Sequence, residues 1–190
     1  MTDQTAPKST SIPLGVVLRR RPGVTRWAKW AWSAVAVIPN AGPGGFRLLR
    51  DEDGVTDFHA ATVPLDLHHT EVESYRTSLA MSPPSVFVVL NKDADAGNEH
   101  NIDVYAVTAS ADRAQEHQDT DEVIVEPVVM PDALLVTIRD FCDAHFVDTP
   151  FVKRKRDRKR VDLLEDGIGD SRIRQTADVY RAPSRKEQVH

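Results

Sequence analysis

Apolar residues recur at two spacings along the chain, and the changes of spacing mark its elements. "SIPLGVVLRRR" (11–21) carries a strand pattern that Pro22-Gly23 stops. In "WAKWAWSAVAVIP" (27–39), Trp30, Trp32, Ala34, Ala36 and Ile38 fall two apart, the period of a strand with one buried face. "PNAGPGG" then closes that strand as a flexible turn. "FRLLRDEDGVTDFHAATVPLDLH" (46–68) predicts a hairpin whose turn pair is Asp53-Gly54. The helical period takes over in "TEVESYRTSLA" (70–80), where Val72, Tyr75 and Leu79 lie at i, i+3 and i+7. Thr70 followed by Glu73 has the form of a capping box.

Pro83-Pro84 ends that helix and launches the strand "SVFVVLN" (85–91). A polar loop leads to a second strand, "IDVYAVTAS" (102–110), and the two read as a central hairpin. Ser110 is placed to cap a helix over 110–119, and "EVIVEPVVM" (122–130) reads as extended. Pro131 suits the first helical position of a last helix that reaches about residue 147. Leu134, Leu135, Ile138, Phe141, Cys142 and His145 form its inward stripe. Tight turns join the first four strands, leaving no crossover helices for parallel pairing. The predicted fold is therefore α+β: one domain over 11–150, a mainly antiparallel sheet of about six strands with a long C-terminal helix packed on it. Residues 1–10 read as a flexible tail, and 161–190, charged and without apolar period, as a disordered one.

Charge changes this picture at one place. Residues 1–150 carry 12 Lys and Arg against 22 Asp and Glu, a net −10. The run 153–160 within "FVKRKRDRKR" carries seven cations against one anion. An acidic body repels phosphate backbones through its long-range field, so any nucleic acid must be held by the arm. The arm's Lys153, Arg154, Lys155, Arg156, Arg158, Lys159 and Arg160 are the candidate partner-binding residues. A solvated helix end, with cations beside a helix C-terminus, is the plainer reading of such a run.

The single cysteine, Cys142, excludes an internal disulfide and a thiolate-only zinc or iron–sulfur site. No segment reaches the roughly 18 apolar residues of a membrane span. "RRRPGVTRWAKWAWSAVAVIPNAG" superficially has the form of a twin-arginine export signal, but its tryptophans and its spacing of two suit a strand. A cytoplasmic protein without membrane partners is expected.

Candidate chemistry is sparse. Gly42, Gly44 and Gly45 lack the following Lys-Ser/Thr and helix of a phosphate loop. His59, His68 and His69 lie near Glu71 and Glu73 and are metal ligands by type, yet adjacent residues at a strand end face opposite ways. A structural role suits them better, and no metal or cofactor is expected. Cys142 and His145 share a helix face as a nucleophile and base would, but a packed core thiol on the apolar stripe is the better reading. "DLLEDGIGD" (162–170) lacks the alternating ligand order of a calcium loop. Arg19, Arg20, Arg21, Arg26 and Lys29 interleave with Trp27, Trp30 and Trp32, as on a single-strand nucleic-acid surface. Paired strands with arginines outward and tryptophans inward give the same pattern. Catalytic residues are not identifiable.

"IPLGVVLRRRP" with Trp27, "VPLDLHHTEVESYRTSL", "PPSVFVVL", "VTAS", "VEPVVMP" and "FVKRKRDRKR" together resemble the family of domain of unknown function 3305, from about Ile12 to Arg160. Members are typically encoded beside bacterial molybdenum-dependent formate dehydrogenases and their accessory proteins. The resemblance thus implies an accessory or assembly factor, more a binding protein than an enzyme, with formate dehydrogenase or one of its maturation proteins as partner. It brings no catalytic residues. A nucleic-acid-binding regulator and an enzyme of molybdenum cofactor biosynthesis are the alternatives. The second is disfavoured, because a nucleotidyl transferase needs a glycine-rich nucleotide loop and a metal-binding aspartate on a doubly wound sheet.

Overall fold

The structure, a computed structural model, describes residues 6–23, 29–91, 100–120 and 122–147. Its strands are β1 (Ser9–Pro22), β2 (Trp30–Pro39), β3 (Arg47–Glu52), β4 (Val55–His68), β5 (Ser85–Asn91), β6 (Asp103–Thr108) and β7 (Val123–Val129). A 3-10 turn, His69–Glu71, leads into α1 (Val72–Leu79); α2 is Ala111–Gln118 and α3 is Asp132–His145. The α+β class and the antiparallel pairing agree with the sequence pattern. The expected one sheet is instead two, ordered β2-β1-β4-β3 and β6-β5-β7.

The two sheets meet along two seams, β2 against β7 and β4 against β6, so six strands ring one core. Inward residues of both sheets, among them Leu14, Val16, Leu18, Leu65, Val86, Val88, Leu90 and Val104, belong to a single buried cluster. The seams lack a hydrogen-bonded ladder for local reasons. Pro64 of β4 sits opposite Pro13 of β1 and has no N–H to offer β6. On β2 the register slips at Val35, where Val17 pairs Ala36 and Leu18 pairs Ala34. There the Ala34 N–H donates to a side-chain oxygen of Glu126 on β7, substituting for a strand-to-strand bond.

That slip also corrects the reading of β2. An extra residue in a strand exchanges its faces. The run of alternate positions from Trp30 therefore breaks: Val37 is buried, whereas Ile38 is 40% exposed.

The connection from β2 to β3 must cross β1 and β4, because β2 and β3 lie on opposite edges of their sheet. Residues 40–46 make this crossing over the sheet's outer face. The Asn40 N–H donates to Pro13 O at 2.8 Å and the Phe46 N–H to Ala60 O at 3.0 Å. Two glycines allow the close approach. A Cβ on Gly15 would lie 2.7 Å from the Ala41 Cβ, and one on Gly44 2.6 Å from the Ala61 backbone. The glycine-rich segment is thus a strap rather than a loose turn.

Three helix starts differ in their caps. Ser110 caps α2 as expected, its hydroxyl accepting from the Arg113 N–H. The Thr70–Glu73 box does not form; Glu71 occupies the cap position without a side-chain cap bond, because the chain enters α1 through the 3-10 turn. Pro131 stands one place earlier than expected, as the cap of α3, with extended ψ of 150°. Among the described residues no helix is long and apolar enough to cross a membrane.

Candidate functional site

A depression of about 580 Å3 opens between the N-terminal ends of α1 and α2. Its base is a network of hydroxyls. Ser110 Oγ donates to Ser74 Oγ at 2.9 Å, the Asp112 N–H donates to the same oxygen at 3.0 Å, and the Ser110 N–H donates to Thr108 Oγ1 at 3.0 Å. Ser74 and Ser110 are buried, and these bonds satisfy groups that would otherwise destabilise the fold. Helical period alone gave no reason to bury Ser74, since its partner lies 36 residues away.

One wall is an ion pair between Arg113 and Glu71. Glu71 also accepts from the Tyr75 hydroxyl at 3.2 Å, and that hydroxyl accepts from the His68 N–H at 2.9 Å. Burial pushes the Tyr75 phenol up to about 12, so it remains protonated and donating. A second depression of about 240 Å3, at the β4/β6 seam, shares Arg113 and His117 with the first. Tyr105, 62% exposed, points its ring at His117 with centroids 5.8 Å apart. Together they form a polar groove whose rim carries Asp66, Glu73, Asp112 and Glu116 beside Arg113 and His117. Such a surface recognises by hydrogen bonds and charge; its serines are already committed to one another.

The candidates singled out in the sequence are dispersed. Cys142 is 2% exposed, its Sγ 4.0 Å from Val72 O, and burial pushes its thiol up to about 11, away from the thiolate a nucleophile needs. His145 bonds instead to Pro7 O at 3.0 Å and packs its ring at a tilt against that of Phe141, centroids 4.6 Å apart. His68 ends β4, and His69 lies in the 3-10 turn with its ring 6.2 Å from that of His145. His59 is elsewhere, buried on the outer face below the strap, its Nε2 3.0 Å from Thr62 Oγ1. No group of three metal-ligating side chains forms among the described residues.

The arginine and tryptophan pattern resolves into structural contacts. Arg19 makes two bonds to Asp57, at 2.7 and 2.9 Å. Arg20 does not point outward as paired strands suggested. Its guanidinium lies 4.4 Å from the Trp30 ring centroid and 5.2 Å from that of Phe58, and it donates to Thr56 Oγ1 at 3.2 Å. Trp32, Phe46, Phe58 and His100 pack behind it in T-shaped and tilted ring pairs. These contacts are cation–π and quadrupolar packing, which hold the end of the sheet together. Arg26 and Trp27 lie outside the described residues, as do Lys153, Arg154, Lys155, Arg156, Arg158, Lys159 and Arg160, the loop 92–99, and 161–190.

Residues 13–155 match the model of one family, described as Protein of unknown function (DUF3305). The chain belongs to that family. The matched span begins within β1, takes in every later described strand and helix, and ends at Lys155 inside the basic run. No curated protein and no solved structure matches the chain. The groove lies within the DUF3305 span, and two of the blocks that carry the resemblance, 63–79 and 107–110, meet in it.

Proposed function

We propose that this DUF3305 protein is a non-catalytic accessory or assembly factor for a molybdenum-dependent formate dehydrogenase, acting in the cytoplasm. Its folded body and the basic run Lys153–Arg160 are the docking elements. The observation that carries the reading is how the reactive side chains are spent. Cys142 is a core thiol, Arg19 and Asp57 hold each other, Arg20 is stacked on aromatic rings, and Ser74 and Ser110 bond to one another. Side chains fixed in this way serve a rigid scaffold for recognition. The family resemblance supplies the partner, and the sequence supplies a cationic strip suited to an acidic protein surface. Attraction by such a strip raises encounter rates and weakens as salt rises.

The test is affinity purification of the tagged full chain from native cells, followed by identification of what accompanies it. Formate dehydrogenase or a maturation protein enriches, and enrichment falls when the seven cations are replaced by serine or when salt is raised. Absence of any such enrichment, with unchanged formate oxidation in a deletion strain, removes the proposal. Copurifying nucleic acid, bound with a steep salt dependence, instead favours the regulator reading. Loss of a cofactor-forming activity in Cys142→Ala or His68→Ala favours the enzyme reading.

A further inference from the structure

Among the described residues β3 is the edge of the four-stranded sheet, paired to β4 on one side only. All six of its residues are exposed, and two are adjacent leucines: Leu48 at 55% and Leu49 at 44%. An edge strand with apolar side chains presents unpaired N–H and C=O groups to any strand that fits it. Charges ordinarily blunt such an edge. Here their order has the opposite effect.

The pairing with β4 fixes which face each residue takes. Arg47 lies opposite His59 and Arg50 opposite Asp57, both on the outer face, while Leu48 opposite Phe58 and Asp51 opposite Thr56 take the inner face. Leu49 is the extra residue at the register slip between them. Glu52 takes the outer face and forms an ion pair with Arg50. The strand therefore runs from cationic to anionic, "RLLRDE", and its antiparallel reverse is complementary to it. Centred between Leu49 and Arg50, an antiparallel pairing sets Arg47 opposite Glu52 on the outer face at both ends. Leu48 meets Asp51 on the inner face, and Leu49 meets the aliphatic stem of Arg50. The faces of the outer pairs agree, Arg47 and Glu52 meet opposite charges at both ends, and no like charges oppose.

We infer that two copies of this chain associate through β3, edge to edge across a two-fold axis, extending the four-stranded sheet into a continuous one of eight. A two-fold interface is self-complementary by symmetry, which is the property this strand has.

The charges make a discriminating experiment possible with the full chain in analytical ultracentrifugation. Wild type shows a concentration-dependent dimer. Arg47→Glu and Glu52→Arg each place like charges opposite one another twice, and each weakens the dimer by about tenfold or more. Mixed in equal amounts, the two variants regain the dimer, because every Arg47–Glu52 position again holds opposite charges. The double variant, with both reversals in one chain, regains it as well. Both sites are exposed, and circular dichroism verifies that each variant keeps its fold. A wild-type monomer up to about 100 μM, or a dimer indifferent to either reversal, overturns the inference, as does failure of the mixture to restore it. A monomer whose β3 is protected only by a different protein also overturns it.

Discussion

Asp57 illustrates how one side chain settles several questions. The hydrogen bond from Arg19 holds its carboxyl below the usual carboxylate range, against the opposing effect of burial. Its side chain is 11% exposed and that of Arg19 30%, so solvent screens the pair only in part. A carboxylate whose native pKa is depressed stabilises the fold at pH values above its unfolded pKa, and that contribution is lost as pH falls through the native value. Asp57→Asn should therefore cost about 2 kcal/mol at neutral pH. In urea denaturation the gap between variant and wild type should close as pH drops below about 4, toward the native value. A constant gap from neutral to acid pH would show that packing rather than charge is responsible. The sequence showed that Arg19 belonged to a basic, aromatic stretch. That its partner would be a carboxylate 38 residues away was not visible, because register between β1 and β4 decides it.

At the scale of elements, turns and strands were the most legible. Asp53-Gly54 turns the β3–β4 hairpin with φ of 51° and 77°, the left-handed backbone that Asp and Gly tolerate. Ser110 caps α2 because a hydroxyl three residues before an unpaired N–H has a local and strong preference. The bulge at Val35 and the failed Thr70 box were not legible, since a neighbouring strand sets the first and the 3-10 turn into α1 the second. The strap over 40–46 was read as a flexible turn because nothing local reports what a loop lies upon. It makes a sharp prediction: Gly15→Ala must push the Ala41 and His59 side chains apart and should cost about 1–3 kcal/mol in thermal or urea unfolding. Gly42→Ala meets nothing within 4 Å and should change stability by less than about 0.5 kcal/mol. Equal effects at the two positions would mean that the strap does not press on β1.

For the molecule as a whole, the seams decide the architecture. Ladders join β2-β1-β4-β3 and β6-β5-β7, whereas the two sheets are held to each other by the shared core and by local bonds such as Glu126 to Ala34. Glu126→Ala leaves the Ala34 N–H without its acceptor and should destabilise by about 1–3 kcal/mol, whereas Glu126→Gln keeps an oxygen there and should lose less. Hydrogen exchange at the Ala34 amide measures this directly, and unaltered protection in Glu126→Ala would show that the seam closes without it. The groove at the other seam was half visible. Its blocks stood out as segments, but Thr108, Ser110 and Ser74 meet only because α1 and α2 start side by side.

Alternation, turn chemistry and proline placement determined by themselves that this chain mixes helices with antiparallel strands, since those preferences act within a few residues; the long last helix they suggested is, among the described residues, the 14-residue α3. The charge pattern by itself marked 153–160 as a dense basic run in an acidic chain. The tertiary structure alone decided that the strands divide between two sheets, that Arg20 turns inward onto aromatic rings, and that β3 is left at an edge with complementary charges along it. Each of these depends on which distant backbone lies alongside, and register over tens of residues is set by the packing of the whole core rather than by any local spacing.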